Sequence, residues 1–190
     1  MCRSSAVQLL ADDEAAILAY QADPAYRLSM IIREEQLHER ETIHEVVARA
    51  FGREAEAELV DQLRANGGSV VSLVAIDHSS IIGHVMLSIM KAPFQALGLA
   101  PVSVRPDRQV SGIGSSLVRE ALARAKLRGW DAVFVLGDPR FYRRFGFSSE
   151  QARGFTSAYA GPHFMVLPMR NSLPTTTGCI AYDAAFAALE

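Results

Sequence analysis

Cysteine is almost missing from this chain: Cys2 and Cys179 are the two among 190 residues. They make neither a metal-ligand spacing nor a disulfide framework, so small secreted disulfide scaffolds are excluded and a reducing compartment is expected. An excess of one charge is missing as well, since 19 Lys and Arg stand against 21 Asp and Glu, a net −2. With the basic residues scattered, no electrostatic footprint for nucleic acid is present. No run approaches the roughly 18 apolar residues of a membrane span. Asp12-Asp13-Glu14 interrupts the apolar start before a signal-peptide core can form. Internal repeats and low-complexity tracts are lacking too. What remains, at 49% hydrophobic and 21% charged residues, is the expectation of a soluble, cytoplasmic globular domain with a proper core.

Residues 1–29 read as an N-terminal extension, partly helical through Leu9, Leu10, Ala16, Ile17 and Tyr20 and stopped by Asp23-Pro24, or alternatively as a misplaced start. The domain proper spans 30–190. Met30–Arg33 is a strand; Glu41–Phe51 and Glu54–Asn66 are helices with apolar residues on one face. Ser69–Ile76 and Ile81–Met90 are strands joined by the turn Asp77–Ser80, short enough to force an antiparallel hairpin. Lys91–Gly98 is a loop, and a strand follows from Leu99 to Val104. A long helix begins at the glycines Gly112 and Gly114 and is closed by Arg128-Gly129. Ala132–Leu136 is a buried strand, Asp138-Pro139 starts a short helix that runs to Arg144, and Phe164–Leu167 and Gly178–Tyr182 are closing strands around a hairpin loop, Pro168–Thr177. The order β-α-α-β-β-β-α-β-α-β-β predicts a mixed α/β sheet with helices on both faces.

The informative stretch is LAPVSVRPDRQVSGIGSSLVREALARAKLR, from Leu99 to Arg128. Ile113, Leu117, Val118, Ala121, Leu122 and Ala125 recur at helical spacing, so one face packs down. At its start the glycines allow a ligand close to the backbone, and the free N–H groups of the first turn point outward at the positive end of the dipole. That is a site for phosphate oxygens.

Taken alone, Gln109-x-x-Gly112-x-Gly114 is a weak signal; its place between a strand and a helix strengthens it. This stretch resembles the acetyl-CoA-binding motif of the GCN5-related N-acetyltransferases (GNAT), Gln/Arg-x-x-Gly-x-Gly/Ala. Phe141-Tyr142-Arg143-Arg144-Phe145-Gly146-Phe147 resembles the same family's Tyr-x-x-x-Gly-Phe segment. The likeness in element order runs from Met30 to about Tyr182. It implies a mostly antiparallel sheet of six to seven strands with a splayed central strand pair, and acetyl-CoA as acyl donor. The pyrophosphate would rest on the backbone of Val110, Ser111, Gly112, Ile113, Gly114 and Ser115, behind Gln109. The pantetheine arm would lie along Val102, Ser103 and Val104 like an added strand. Family members often carry Gly where this chain has Val110; a backbone donor survives there. Pro101 fits a strand that bulges and splays, or an ordinary edge proline. Tyr142 would be the general acid, protonating or hydrogen-bonding the departing thiolate, with the Val104 N–H facing the oxyanion; a packing role among Phe141, Phe145 and Phe147 is its plainer reading.

The general base stays open: Asp138, His84, Glu58 and Asp61 are candidates, with Asp138 better read as a helix cap and His84 as a core histidine. Arg105, Arg108, Arg143 and Arg144 could meet the 3′-phosphate or merely face water, and His163 with the loop to Thr177 could line the acceptor side. A dinucleotide or S-adenosylmethionine site is disfavoured by Leu117 at the third glycine position, by seven residues between strand and glycine, and by the hairpin that precedes them. The expected function is acetyl transfer to a small-molecule or peptide amine, directly in a ternary complex, as a monomer or a homodimer. A non-catalytic acyl-CoA sensor of the same fold is the alternative.

Overall fold

The computed structural model describes residues 30–189, and the readings made on residues 1–29 lie outside them. Eight strands and five helices follow in order: β1 (Ile31–Glu34), α1 (Arg40–Phe51), α2 (Ala55–Ala65), β2 (Ser69–Asp77), β3 (Ser80–Ile89), β4 (Ala96–Val104), α3 (Ile113–Leu127), β5 (Ala132–Leu136), α4 (Pro139–Tyr142), α5 (Ser149–Ala152), β6 (Phe155–Thr156), β7 (Phe164–Pro168) and β8 (Gly178–Cys179). The main sheet has six strands in the order β1-β2-β3-β4-β5-β7. All neighbours are antiparallel except β4 and β5, which are parallel. No described helix is long and apolar enough to cross a membrane.

Alternation along the strands sends successive side chains to opposite faces. On one face Leu73, Val85, Leu97, Leu99, Val133 and Val135 receive Leu117, Val118, Ala121 and Ala125 of α3. On the other, Val74 and Met86 receive Ile43 and Val47 of α1 with Leu59, Val60 and Leu63 of α2. A stacked and edge-on cluster of Phe134, Phe155 and Phe164 fills that face beside β5. Each fully buried Leu or Val adds about 1.5–3 kcal/mol, so the apolar stripe of α3, more than helix propensity, fixes where its N-terminus lies.

Three expectations need correction. β4 starts at Ala96, within the segment read as a loop, because Ala96, Leu97 and Gly98 pair in parallel with Ala132, Val133 and Phe134, while Leu97 and Gly98 also pair with Ile89 and Ser88 of β3; these tertiary pairings make the segment extended. The segment Gly178–Tyr182 does not close the sheet. Its strand is confined to Gly178–Cys179 and pairs in parallel with the unforeseen β6, so Pro168–Thr177 is no hairpin loop. The alternating Ile180 and Tyr182 bury against the face of the sheet, and Ala181 bridges to Lys91. Finally, the β2–β3 turn is His78-Ser79, both at positive φ (44° and 68°), the twist that a two-residue hairpin requires.

Candidate active site

β4 does not stay with β5. Their pairing stops at Gly98 and Phe134, while β4 continues to Val104 beside β3. Between Leu99 and Val102, Ala100 and Pro101 oppose the single residue Met86, so Pro101 sits in a bulge, and its bond to Ala100 is cis. Ladder alternation decides where the remaining polar groups of β4 point. Arg105 N–H donates to the Ile82 carbonyl at 2.9 Å, so two residues back Ser103 faces β3 in the same way. Val102 and Val104 therefore turn N–H and C=O toward the side β5 has left. Gln109 Nε2 donates to the Val104 carbonyl at 3.1 Å and ties the following turn to the strand.

The turn delivers α3 with its N-terminus open. Gly112 is the N-cap at φ +83°, with no side chain capping the helix and no acid in its first turn. Ser116 N–H to the Gly112 carbonyl, 3.0 Å, is the first helical bond, so the N–H groups of Ile113, Gly114 and Ser115 precede the ladder and carry the positive end of the dipole. The two glycines serve different ends. At Gly112 the left-handed backbone is the requirement, since nothing stands within 4 Å of an added Cβ. At Gly114 a Cβ would project toward Val104 and Val102, 3.6 and 3.9 Å away, into the space a ligand would take. Val110 also sits at positive φ, 64°, an unfavourable conformation for a β-branched residue.

These elements border a cleft of about 480 Å³, lined by Val102, Val104, Gln109, Val110, Gly112, Ile113, Gly114 and Ser115, and on its far wall by Phe141, Tyr142 and Arg144. Two expected residues stand apart. The Ser103 hydroxyl faces the other side of the sheet and donates to the His84 carbonyl at 3.3 Å, and the Ser111 hydroxyl is spent on the Arg108 carbonyl. Arg105 pairs with Asp107 at 2.9 Å. Arg108, which borders the cleft, pairs with Asp77 at 3.1 Å. Arg144 lies over the Phe141 ring at 4.5 Å; its place in the wall follows from the tertiary packing of the aromatic segment.

Tyr142 ends α4, whose start is fixed by Asp138 accepting from Arg140 N–H at 2.9 Å. Its ring occupies the space of a side chain at Gly137, where a Cβ would come within contact distance of the ring carbons. Phe141 and Phe147 meet it edge-on, with centroids 4.9 and 5.7 Å away. Burial pushes the Tyr142 hydroxyl up to about 12, so the phenol keeps its proton and serves as a donor. His163 stands by the same glycine, with Nδ1 3.2 Å from the Gly137 carbonyl.

None of the candidate bases borders this cleft. Asp138 is the helix cap, held low by Arg140. Glu58 is exposed on α2, and Asp61 is engaged by His44 and Arg64, each at 2.7 Å. His84 is fully buried. Ser72 donates to Glu35 and stands 2.8 Å from His84 Nε2, which makes Nε2 the protonated nitrogen. Burial depresses the His84 pKa and keeps the ring neutral. Burial also opposes ionisation of Glu35, yet contacts with His84, Arg64 and Ser72 outweigh it and hold the carboxyl at about 2. His84 Nε2 is 3.6 Å from that carboxylate, so the direct contacts are those of Arg64, at 2.6 Å, and the Ser72 hydroxyl.

Fold and site together offer an open helix start beside a strand edge that β5 has left, an arrangement suited to an extended anionic ligand. Residues 68–149 match the family model described as an acetyltransferase (GNAT) domain. The uncharacterized N-acetyltransferase YhbS of Escherichia coli is 37% identical over 164 residues, covering 83% of this chain and 98% of the relative. A crystal structure of YhbS in complex with CoA superposes with a TM-score of 0.77 at 31% identity, covering 84% of this chain and 92% of that one. A GNAT family acetyltransferase of Brucella melitensis in complex with acetyl-CoA gives a TM-score of 0.71 at 36% identity over 83% and 97% of the two chains. The chain belongs to the GNAT family of N-acetyltransferases.

Proposed function

We propose that this protein transfers an acetyl group from acetyl-CoA to a primary amine by direct attack within a ternary complex. The observation that carries the reading is the convergence, on one cleft, of the N–H groups opening α3, the outward-facing backbone of Val102 and Val104, and the protonated hydroxyl of Tyr142. The residues present fit the donor. Ile113, Gly114 and Ser115 offer amides to a pyrophosphate, Gly114 leaves room for it, and Arg144 adds a cation at the wall. Val102 and Val104 hydrogen-bond an amide-bearing arm as a neighbouring strand would.

Acetyl-CoA supplies an acyl carbon activated as a thioester. The amine nitrogen bonds to that carbon while the carbon–sulfur bond breaks. Tyr142 gives its proton to the departing sulfur and recovers one from solvent, and the nitrogen releases its extra proton to solvent. A positioned acid of this kind contributes about 10²–10⁴-fold, so Tyr142→Phe should lower kcat about a hundredfold while acetyl-CoA affinity, measured by calorimetry, stays unchanged. Equal turnover would remove Tyr142 from the role. The lack of a carboxylate or imidazole among the described cleft-lining residues favours one other reading, a non-catalytic acyl-CoA sensor. Acetyl-CoA binding without thiol release from any amine would select it.

A further inference from the structure

Tyr142 has a counterpart on the other face of the sheet. Gly98 is the last β4 residue paired with β5, and the Tyr182 ring lies on it so closely that a Cβ there would stand 2.7 Å from Cε1. The two rings thus flank the opening of the fork, Tyr142 packed with the α3 face and Tyr182 with the α1 and α2 face. The Tyr182 hydroxyl is buried without a hydrogen-bond partner. So is the hydroxyl of Ser88, which opposes Gly98 across the β3–β4 ladder and so shares its face. Buried hydroxyls without partners are rare in native proteins and ask for one. Tyr182 also borders, with Tyr159, Ala181, Asp183, Ala184, Phe186 and their neighbours, a half-open pocket of about 180 Å³. That is room for about six waters at ~30 Å³ each, the scale of a small molecule or a single side chain. Among the described residues its walls are aromatic rings, alanine methyls and Ser157, with no cation. The one charge is Asp183, whose Oδ1 takes Asn66 Nδ2 at 3.1 Å and Ala185 N–H at 2.9 Å, leaving Oδ2 without a described partner.

We propose that this pocket holds the acetyl acceptor, and that the acceptor is a compact apolar primary amine carrying no carboxylate. The inference rests on the acetyltransferase reading. The amine nitrogen donates to the waiting hydroxyl of Tyr182 at the fork. The apolar body fills the space against Tyr159 and Phe186, ring faces that also favour an incoming ammonium. Asp183 attracts that cation and repels an acid.

Phenethylamine and phenylalanine differ by a single carboxylate and make the test. With acetyl-CoA-loaded protein, thiol release should show kcat/KM at least a hundredfold higher for phenethylamine. Tyr182→Phe keeps the ring and should raise KM for phenethylamine about tenfold with acetyl-CoA affinity unchanged. Asp183→Asn keeps the oxygen that accepts from Ala185 and should cut the preference below tenfold, with thermal melts checking that both variants fold. Equal use of the two acceptors, variants that leave KM and preference unmoved, or phenethylamine that neither binds nor reacts with the loaded protein would overturn the proposal. Acetyl-CoA affinity is measured without amine, so its loss would sink the transferase reading itself, whereas failure with acetyl-CoA bound sinks this inference alone.

Discussion

Gly112 and Val110 occupy the same left-handed region of backbone space two residues apart, with opposite consequences. Gly112→Val would force a second β-branched side chain there, at a cost of about 1–3 kcal/mol, and calorimetry should show acetyl-CoA binding lost. Val110→Gly relieves existing strain and keeps the backbone N–H; it should raise stability by about 1 kcal/mol in denaturant unfolding without weakening acetyl-CoA. The sequence announced both glycines as a place of close approach, but φ is a property of the folded turn, and so the reason for Gly112 was hidden. Arg64 is equally illegible from its neighbours in the chain: its side chain is 4% exposed and meets Glu35 from another element. Glu35 falls from the usual carboxylate range to about 2 on folding, so its contribution, roughly 3 kcal/mol, is complete above pH 4.5 and lost as pH falls toward 2. Arg64→Ala would strand that carboxylate, and unfolding in urea should register a loss of about 3–5 kcal/mol at pH 7. Turnover has its own pH dependence. With Tyr142 protonated up to about 12 and no base in the described cleft wall, kcat/KM should rise about tenfold per pH unit below the pKa of the acceptor amine. A plateau near neutrality would reveal a base.

Among the elements, α3 was readable because its stripe, its glycine start and its Arg128-Gly129 end are all local signals, and its observed span is Ile113–Leu127. Its packing can be tested at Leu117, which is fully buried under the sheet; Leu117→Ala should cost about 2–5 kcal/mol in denaturant unfolding. The short β6 and the first residues of β4 were not readable, since each is extended only because a distant partner lies beside it, and of the strand read at Gly178–Tyr182 only Gly178–Cys179 pairs as one. Apolar alternation at Ile180 and Tyr182 promised a strand, and burial against a sheet face satisfies the same pattern. The seats of the two tyrosines were written in the sequence as Gly98 and Gly137, a signal open only to someone who knows which rings come to rest there.

At the scale of the molecule, the fork divides the sheet into two parts, β1 to β4 and β5 with β7, joined within the ladder by three residue pairs. A donor lying along Val102 and Val104 would lace these parts together, so acetyl-CoA at a hundred times its Kd should stabilise the protein by about 2.7 kcal/mol, read as a rise in Tm. The ligand-free protein then has a built-in line of weakness. Amide exchange at Val102 and Val104 should be fast until the donor arrives and slow afterwards, which makes the substrate a temporary girder of the sheet that holds it.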